Sequence, residues 1–307
     1  MRNKVSIIGA GNVGASIAQL VAQSGFADVI LFDIVEGMPQ GKALDIAEAC
    51  PLWNSSSAIK GTNGYADTKG SDIVVITAGL ARKPGMSRSD LLHANAEIVR
   101  ATCLEISKTS PGAILIVVTN PMDVMAQLAW KTTEFSCRRV MGMGGILDAS
   151  RLSAFLSWEL RVSPEDIEAI VLGGHGDDMV PLPRFTTVKG VPLTELLPEK
   201  KIVSLIERTR TGGAEIVSLL KAGSAYYAPA ASTFQMVKSI LFDERRTLPC
   251  AALLNGEYGV KDIYMGVPAI LGREGIEGII ELKLTKEEKV QFRKSCDSVR
   301  KLVERLM

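Results

Sequence analysis

Two runs of the sequence, Asp72–Thr77 (DIVVIT) and Ala113–Val118 (AILIVV), have central residues that are apolar whichever face of a strand they occupy. Strand side chains alternate between faces, so such runs need cover on both sides. That is the condition of a parallel sheet with helices above and below it. Around them the first half of the chain alternates short β-branched runs with helical patterns. Val5–Ile8 and Val29–Phe32 read as strands; Val13–Gln23, with Ile17, Leu20 and Val21 on one stripe, and Gly41–Ala49 read as helices. This alternation predicts an α/β domain built on a doubly wound parallel sheet.

The pattern changes after about Met143, and Gly142-Met143-Gly144-Gly145 reads as a joint. Beyond it come a helix over Leu147–Leu160, short strands separated by Pro and Gly, and further helices. The last helix is expected to open on Thr285 as N-cap, with Glu288 completing a capping box. With 307 residues there is room for two domains, expected at 1–142 and at 143–307, the second of α+β type.

Gly9-Ala10-Gly11-Asn12-Val13-Gly14 matches G-x-G-x-x-G. Alone that motif is weak, but here a strand precedes it, a helix follows, and Asp33 ends the next strand about 20 residues beyond the third glycine, the Rossmann dinucleotide pattern. Gly9 permits a tight turn, Gly11 lets backbone N–H groups approach a pyrophosphate, and Gly14 lets the helix pack on the strand. The helix N-terminus attracts the phosphate charge. Asp33 is expected to accept from the adenine ribose hydroxyls and to repel a 2′-phosphate, favouring NAD over NADP.

The net charge of +1 excludes a broadly basic surface for nucleic acid, and no apolar stretch reaches the length a bilayer needs. The five cysteines are odd in number and widely spaced, without a CxxC pair, so neither a disulfide framework nor a metal site is expected. No export signal is visible, and a cytoplasmic location with reduced thiols fits.

Only two histidines occur, His93 and His175. His93 lies in a helical pattern and reads as a surface or packing residue. His175 sits in Gly173-Gly174-His175-Gly176-Asp177, where the glycines leave the imidazole uncluttered. On its own a loop histidine is more often structural than catalytic, but other residues shift that balance. The basic loop Ala81–Arg88 follows the DIVVIT strand, and ligands of doubly wound sheets bind beyond the C-terminal strand ends. Val118-Thr119-Asn120-Pro121 ends another strand at the same edge. Asp148 and Arg151 are three apart on one helix face.

The segments IIGAGNVG, LFDIVEGMPQGKALDIAEA, VVITAGLARKPGMSRSDLL, VVTNPMDV, GILDASR, LGGHGDDMVP and GVPAILGREGIE resemble the lactate/malate dehydrogenase superfamily over essentially the full length. The chain is most similar to the lactate-dehydrogenase-like malate dehydrogenases of bacteria, with minor departures such as Gly64–Asp67. The resemblance implies that His175 exchanges the proton and that Asp148 pairs with it. It implies that Arg151 grips the substrate C1 carboxylate, Arg88 polarises the reacting carbonyl and Asn120 hydrogen-bonds the substrate. Asn95 matches a cofactor-contacting asparagine, and Val118, Thr119 and Asn120 are expected to border NAD with the glycine turn. Arg82 stands where lactate dehydrogenases carry glutamine, which implies a dicarboxylate substrate, malate or oxaloacetate. Ala225 matches a pocket position that is threonine in many lactate enzymes. Closure of the 81–88 loop, with Gly79, Pro84 and Gly85 as hinges, and assembly as a homodimer or homotetramer are also implied.

Overall fold

The computed structural model describes residues 2–80, 88–221 and 223–306, with Arg88 described by its backbone alone. The first half runs β1 (Asn3–Ile8), α1 (Asn12–Ser24), β2 (Ala27–Phe32), α2 (Met38–Ala49), β3 (Ile59–Thr62), β4 (Ile73–Ile76), α3 (Arg88–Thr109), β5 (Ile114–Val117), α4 (Met122–Thr133) and β6 (Val140–Gly142). Its strands are parallel in the order β3-β2-β1-β4-β5-β6. All four residues of β4 and all four of β5 are buried, as their two-faced apolar pattern requires. The winding reverses between β1 and β4, so the loops leaving these strands diverge and open a crevice at their C-terminal ends. Helix α2 begins at Met38, ahead of the expected Gly41, because left-handed Gly37 starts it and Pro39 suits its first turn.

The second half runs α5 (Gly145–Leu160), β7 (Ile167–Glu168), β8 (Val171–Gly173), β9 (Met179–Pro181), β10 (Thr187–Val188), β11 (Val191–Pro192), α6 (Leu193–Leu196), α7 (Glu199–Leu220), α8 (Tyr227–Leu241), β12 (Arg246–Asn255), β13 (Lys261–Gly272), β14 (Gly275–Ile279) and α9 (Lys286–Glu304). At Gly142 the sheet turns antiparallel without breaking. Strand β12 pairs with β6 through Ala251 and Gly142, β13 follows, and β8 and β9 complete the path, with β14 on β13. Strands β7, β10 and β11 form a small sheet of their own.

The seam is buried and polar groups lock it. Tyr264 on β13 donates its hydroxyl to the Val140 carbonyl at 3.3 Å. Gln127 on α4 accepts from the Tyr264 N–H at 3.3 Å and donates to the Asp262 carbonyl at 3.0 Å, extending the strand edge with a side-chain amide. One apolar cluster runs from Val5 to Val303, through both halves. Helix α8 spends most of its apolar face inside this core: Phe234 stacks on Phe26 at 5.8 Å, just beyond the end of α1. Thr285 caps α9 as expected, accepting from the Glu288 N–H at 3.2 Å while the Glu288 carboxylate accepts from the Thr285 N–H at 2.8 Å. Among the described residues no helix is long and apolar enough to cross a membrane.

The glycine turn joins β1 to α1. Gly9 adopts φ 109°, and its N–H is bonded to the Phe32 carbonyl at 2.8 Å. A Cβ on Gly14 would run into the Gly9 carbonyl oxygen, whereas one on Gly11 would meet nothing within 4 Å. We therefore expect Gly14→Ala to lower stability by about 2–3 kcal/mol in urea unfolding, the usual scale of overpacking. Gly11→Ala should stay within about 0.5 kcal/mol of the parent, as a surface substitution does. Equal losses in the two variants would contradict this packing.

Candidate active site

The loops after β1, β4 and β5 meet at one edge and are braced there by side chains. Thr77 donates its hydroxyl to the Gly9 carbonyl at 3.0 Å. Thr119 donates to the Ala78 carbonyl at 2.7 Å. Buried Asn95, from α3, accepts from the Leu80 N–H and donates to the Asn120 carbonyl, both at 2.7 Å. Both ends of the Asn95 amide are thus engaged within the protein, where it acts as a strut between two loops. Gly79 sits at a close approach, since a Cβ there would fall 2.6 Å from the Thr119 methyl group. That contact accounts for a glycine without invoking a hinge. Asn120 is exposed at the same edge, just ahead of Pro121 and α4, while Val118 and Thr119 are buried.

The dinucleotide cradle is held by charges of both signs. Gly11 caps α1 with no side chain bonded to the first-turn N–H groups, which leaves a helix N-terminus open to an anion. Asp33, one residue past β2, accepts from the Ala10 N–H at 2.7 Å and from the Val35 N–H at 3.0 Å. Lys42, on α2, donates to the Ala10 carbonyl at 2.7 Å. The Ala10 backbone is therefore pinned from both sides. Lys42 escaped the sequence reading because no local pattern links it to the glycine turn. The open Cα of Gly11, the uncapped helix and the adjacent carboxylate fit a dinucleotide.

Within the second half, beside the seam, His175 and Asp148 come together. The loop after β8 carries His175 to the start of α5, whose first turn carries Asp148. The imidazole Nδ1 lies 2.8 Å from Asp148 Oδ2, with only 1% of the aspartate side chain exposed. The Arg151 Nη1 lies 3.4 Å from the other oxygen, Oδ1. Burial alone would depress the His175 pKa, but the charge and hydrogen bond of Asp148 outweigh it, with help from Asp123 and against Arg151. The net direction is upward from 6.5. Burial pushes the Arg151 pKa down while Asp148 supports its charge. The Arg151 Nε is buried without a protein partner among the described residues, a donor suited to a carboxylate. Helix α7 packs beside this guanidinium at Gly213, where a Cβ would make ordinary contact 3.5 Å from Nη2.

Gly174, beside His175, has a packing role besides the open space that Gly176 leaves. A Cβ on Gly174 would strike the Val299 side chain at 2.8 Å, so this glycine lets the loop lie against α9. The Gly174 N–H is bonded to Ser295 Oγ, and the His175 N–H to Asp123 Oδ2, each at 2.8 Å. Asp123 and Ser295 were not identified from sequence, where neither has a distinguishing neighbour pattern. His93 is exposed on α3, and Ala225 is half-buried just ahead of α8. Arg82, Pro84 and Gly85 lie outside the described residues, as does the Arg88 side chain. A groove of about 580 Å³ along α9, lined by Tyr258, Glu281, Lys289 and Arg293 among others, shares no residue with the His175 cluster.

The family model for the lactate/malate dehydrogenase NAD binding domain matches residues 3–142, and that for the lactate/malate dehydrogenase alpha/beta C-terminal domain matches residues 146–307. A malate dehydrogenase of Heliobacterium modesticaldum is 54% identical over 302 residues, 98% of each chain. Among solved structures, the apo malate dehydrogenase of Picrophilus torridus matches with a TM-score of 0.97 and 48% identity, over 99% of this chain and 97% of that one. The lactate dehydrogenase of Cryptosporidium parvum, complexed with lactic acid and NAD, also matches at 0.97, with 41% identity, over 100% of this chain and 98% of that one.

Removing Asp148 leaves part-buried Arg151 and His175 without the carboxylate that pairs with both. We expect Asp148→Ala to lose about 3–5 kcal/mol in urea unfolding at pH 6, as broken buried ion pairs do. Asp148→Asn, which keeps the shape and an acceptor, should lose less. A loss under about 1 kcal/mol for the alanine variant would show that the cluster is solvated rather than paired.

Proposed function

The chain belongs to the lactate/malate dehydrogenase family, and from that premise we propose that it catalyses the reversible NAD-dependent oxidation of (S)-malate to oxaloacetate. The observation that carries the proton-transfer reading is the His175–Asp148–Arg151 cluster around buried Asp148, while malate as substrate rests on Arg82 and on the malate dehydrogenases this chain resembles. Bound NAD supplies the hydride acceptor and, reduced, the hydride donor. The α1 N-terminus and Gly11 would hold its pyrophosphate, and Asp33 its adenine ribose. In this reading residues 1–142 serve the nucleotide and 143–307 most of the substrate.

The chain's own residues handle charge and protons. Nδ1 of His175 is committed to Asp148, so Nε2 is the nitrogen that takes the malate hydroxyl proton or returns it to the oxaloacetate carbonyl. Asp148 stabilises the imidazolium formed and fixes the ring. Arg151 presents its fork to the C1 carboxylate, with Asn120 hydrogen-bonding the substrate and Arg88 polarising the carbonyl. Arg82 pairs with the second carboxylate. Facing the methyl group of pyruvate instead, a desolvated and unpaired guanidinium would cost several kcal/mol. A malate and a lactate enzyme share this backbone at equal TM-scores, so the separation of their substrates falls to side chains, here to the charge of Arg82. The upward shift of His175 favours the imidazolium, the form that donates its proton to the oxo acid. We also propose, from the family resemblance alone, that the chain assembles into a homodimer or homotetramer, which light scattering would measure. Five widely spaced cysteines without a CxxC pair suit a reducing cytoplasm.

Initial rates on oxaloacetate and pyruvate, with NADH and with NADPH, test the proposal. Oxaloacetate with NADH should be much the fastest combination, and Arg82→Gln should move the ratio towards pyruvate. Equal rates on the two acids would sink the substrate assignment and favour a general 2-hydroxy acid dehydrogenase. His175→Asn should abolish turnover and keep NADH binding. Oxaloacetate kcat/KM should be flat below the raised His175 pKa and fall above it, because donation needs the imidazolium. Malate oxidation should rise with pH through the same point. Opposite slopes would refute the proton-transfer role.

A further inference from the structure

Asp123, in the first turn of α4, belongs to the His175 cluster but takes no part in the reaction derived above. Its residue is only 5% exposed. Oδ2 accepts the His175 N–H at 2.8 Å, while buried Oδ1 has no hydrogen-bond partner among the described residues. Gly174, whose own N–H is held by Ser295, lies directly against the same carboxylate, 3.6 Å from Oδ2 to a Cβ placed on it. An anchor for one N–H needs no charge, since a neutral oxygen acceptor would accept as well without the cost of burying a carboxylate. The charge itself therefore calls for a use.

The groups that face Asp123 define that use. His175, from the loop after β8, attracts it, and Asp148, from α5, repels it. Cys296, from α9, interacts with Asp123 and also with Asp297 and Arg300 of its own helix, and Arg151 acts on the other side of His175. His175 is thus the cationic centre between two carboxylates on different helices.

Resting on the proposed reaction, we propose that Asp123 is a positioning residue with an electrostatic role: it fixes the His175 loop by its backbone and adds to Asp148 in holding the imidazolium. Burial pushes the Asp123 carboxyl up to about 6, against the pull of His175 and with added repulsion from Asp148. It is therefore charged above neutrality and loses its charge in mildly acid solution, so the His175 and Asp123 titrations are coupled.

Asp123→Asn and Asp123→Ser both remove the charge, one keeping the shape and one leaving room for water. In a His93→Gln background His175 is the sole histidine. The pH dependence of its carbethoxylation by diethyl pyrocarbonate then reports its pKa without any turnover. We expect both variants to lower that pKa by about 0.5–1 unit, the effect of removing one nearby charge. The falling limb of oxaloacetate kcat/KM should move down with it. Thermal midpoints at pH 8 should hold or rise, because a buried charge has gone. An unmoved His175 titration, or failure of both variants to fold, overturns the proposal and leaves Asp123 as a structural anchor. Wild-type turnover of oxaloacetate is scored separately: its absence would sink the reaction while the carbethoxylation comparison still stands.

Discussion

A single buried carboxylate, Asp148, faces a histidine with one oxygen and an arginine with the other. In a poorly solvated site each of these charges would be expensive alone, and the pairing lets both cations stay buried. The backbone around them serves this arrangement. Helix α5 starts immediately beyond β6, which sets Asp148 in its first turn and Arg151 one turn later on the same face. Gly144, just ahead of α5, leaves room for His175, whose Cβ would stand 3.2 Å from a Cβ placed there, and Gly174 lets the His175 loop lie against α9.

The fold brings together groups far apart in the chain. The reversal between β1 and β4 makes a crevice for a dinucleotide, and the continuation of the sheet through β12, β13 and β8 returns His175 to that side. His175 lies on the second half, yet its N–H is held by Asp123 from α4 of the first. The site is therefore assembled at the seam, and the buried bonds of Gln127 and Tyr264 across that seam stabilise the catalytic geometry as well as the fold.

Features with a local cause were legible in the sequence. The two-faced apolar strands, the glycine turn with Asp33 behind it, and the Thr285–Glu288 capping box each follow from residues close together in the chain. Asp148 and Arg151 were legible as a pair because helical spacing put them on one face. Asp123, Lys42, Ser295 and Gly213 were not, because each acts on a partner brought to it only by the fold. The same limit explains why Gly174 was read as space for a ligand when it is space for α9, and why Asn95 emerged as a strut between loops.

The central claim is that the Asp148 pair outweighs burial at His175. The most direct measurement is an NMR titration of the His175 ring protons, which one exposed second histidine leaves readily assignable. The account predicts a midpoint above the ordinary 6.5 in the wild type, falling below it in Asp148→Asn, where burial acts without its counterweight. A wild-type midpoint at or below 6.5, or one that Asp148→Asn leaves unmoved, would contradict it.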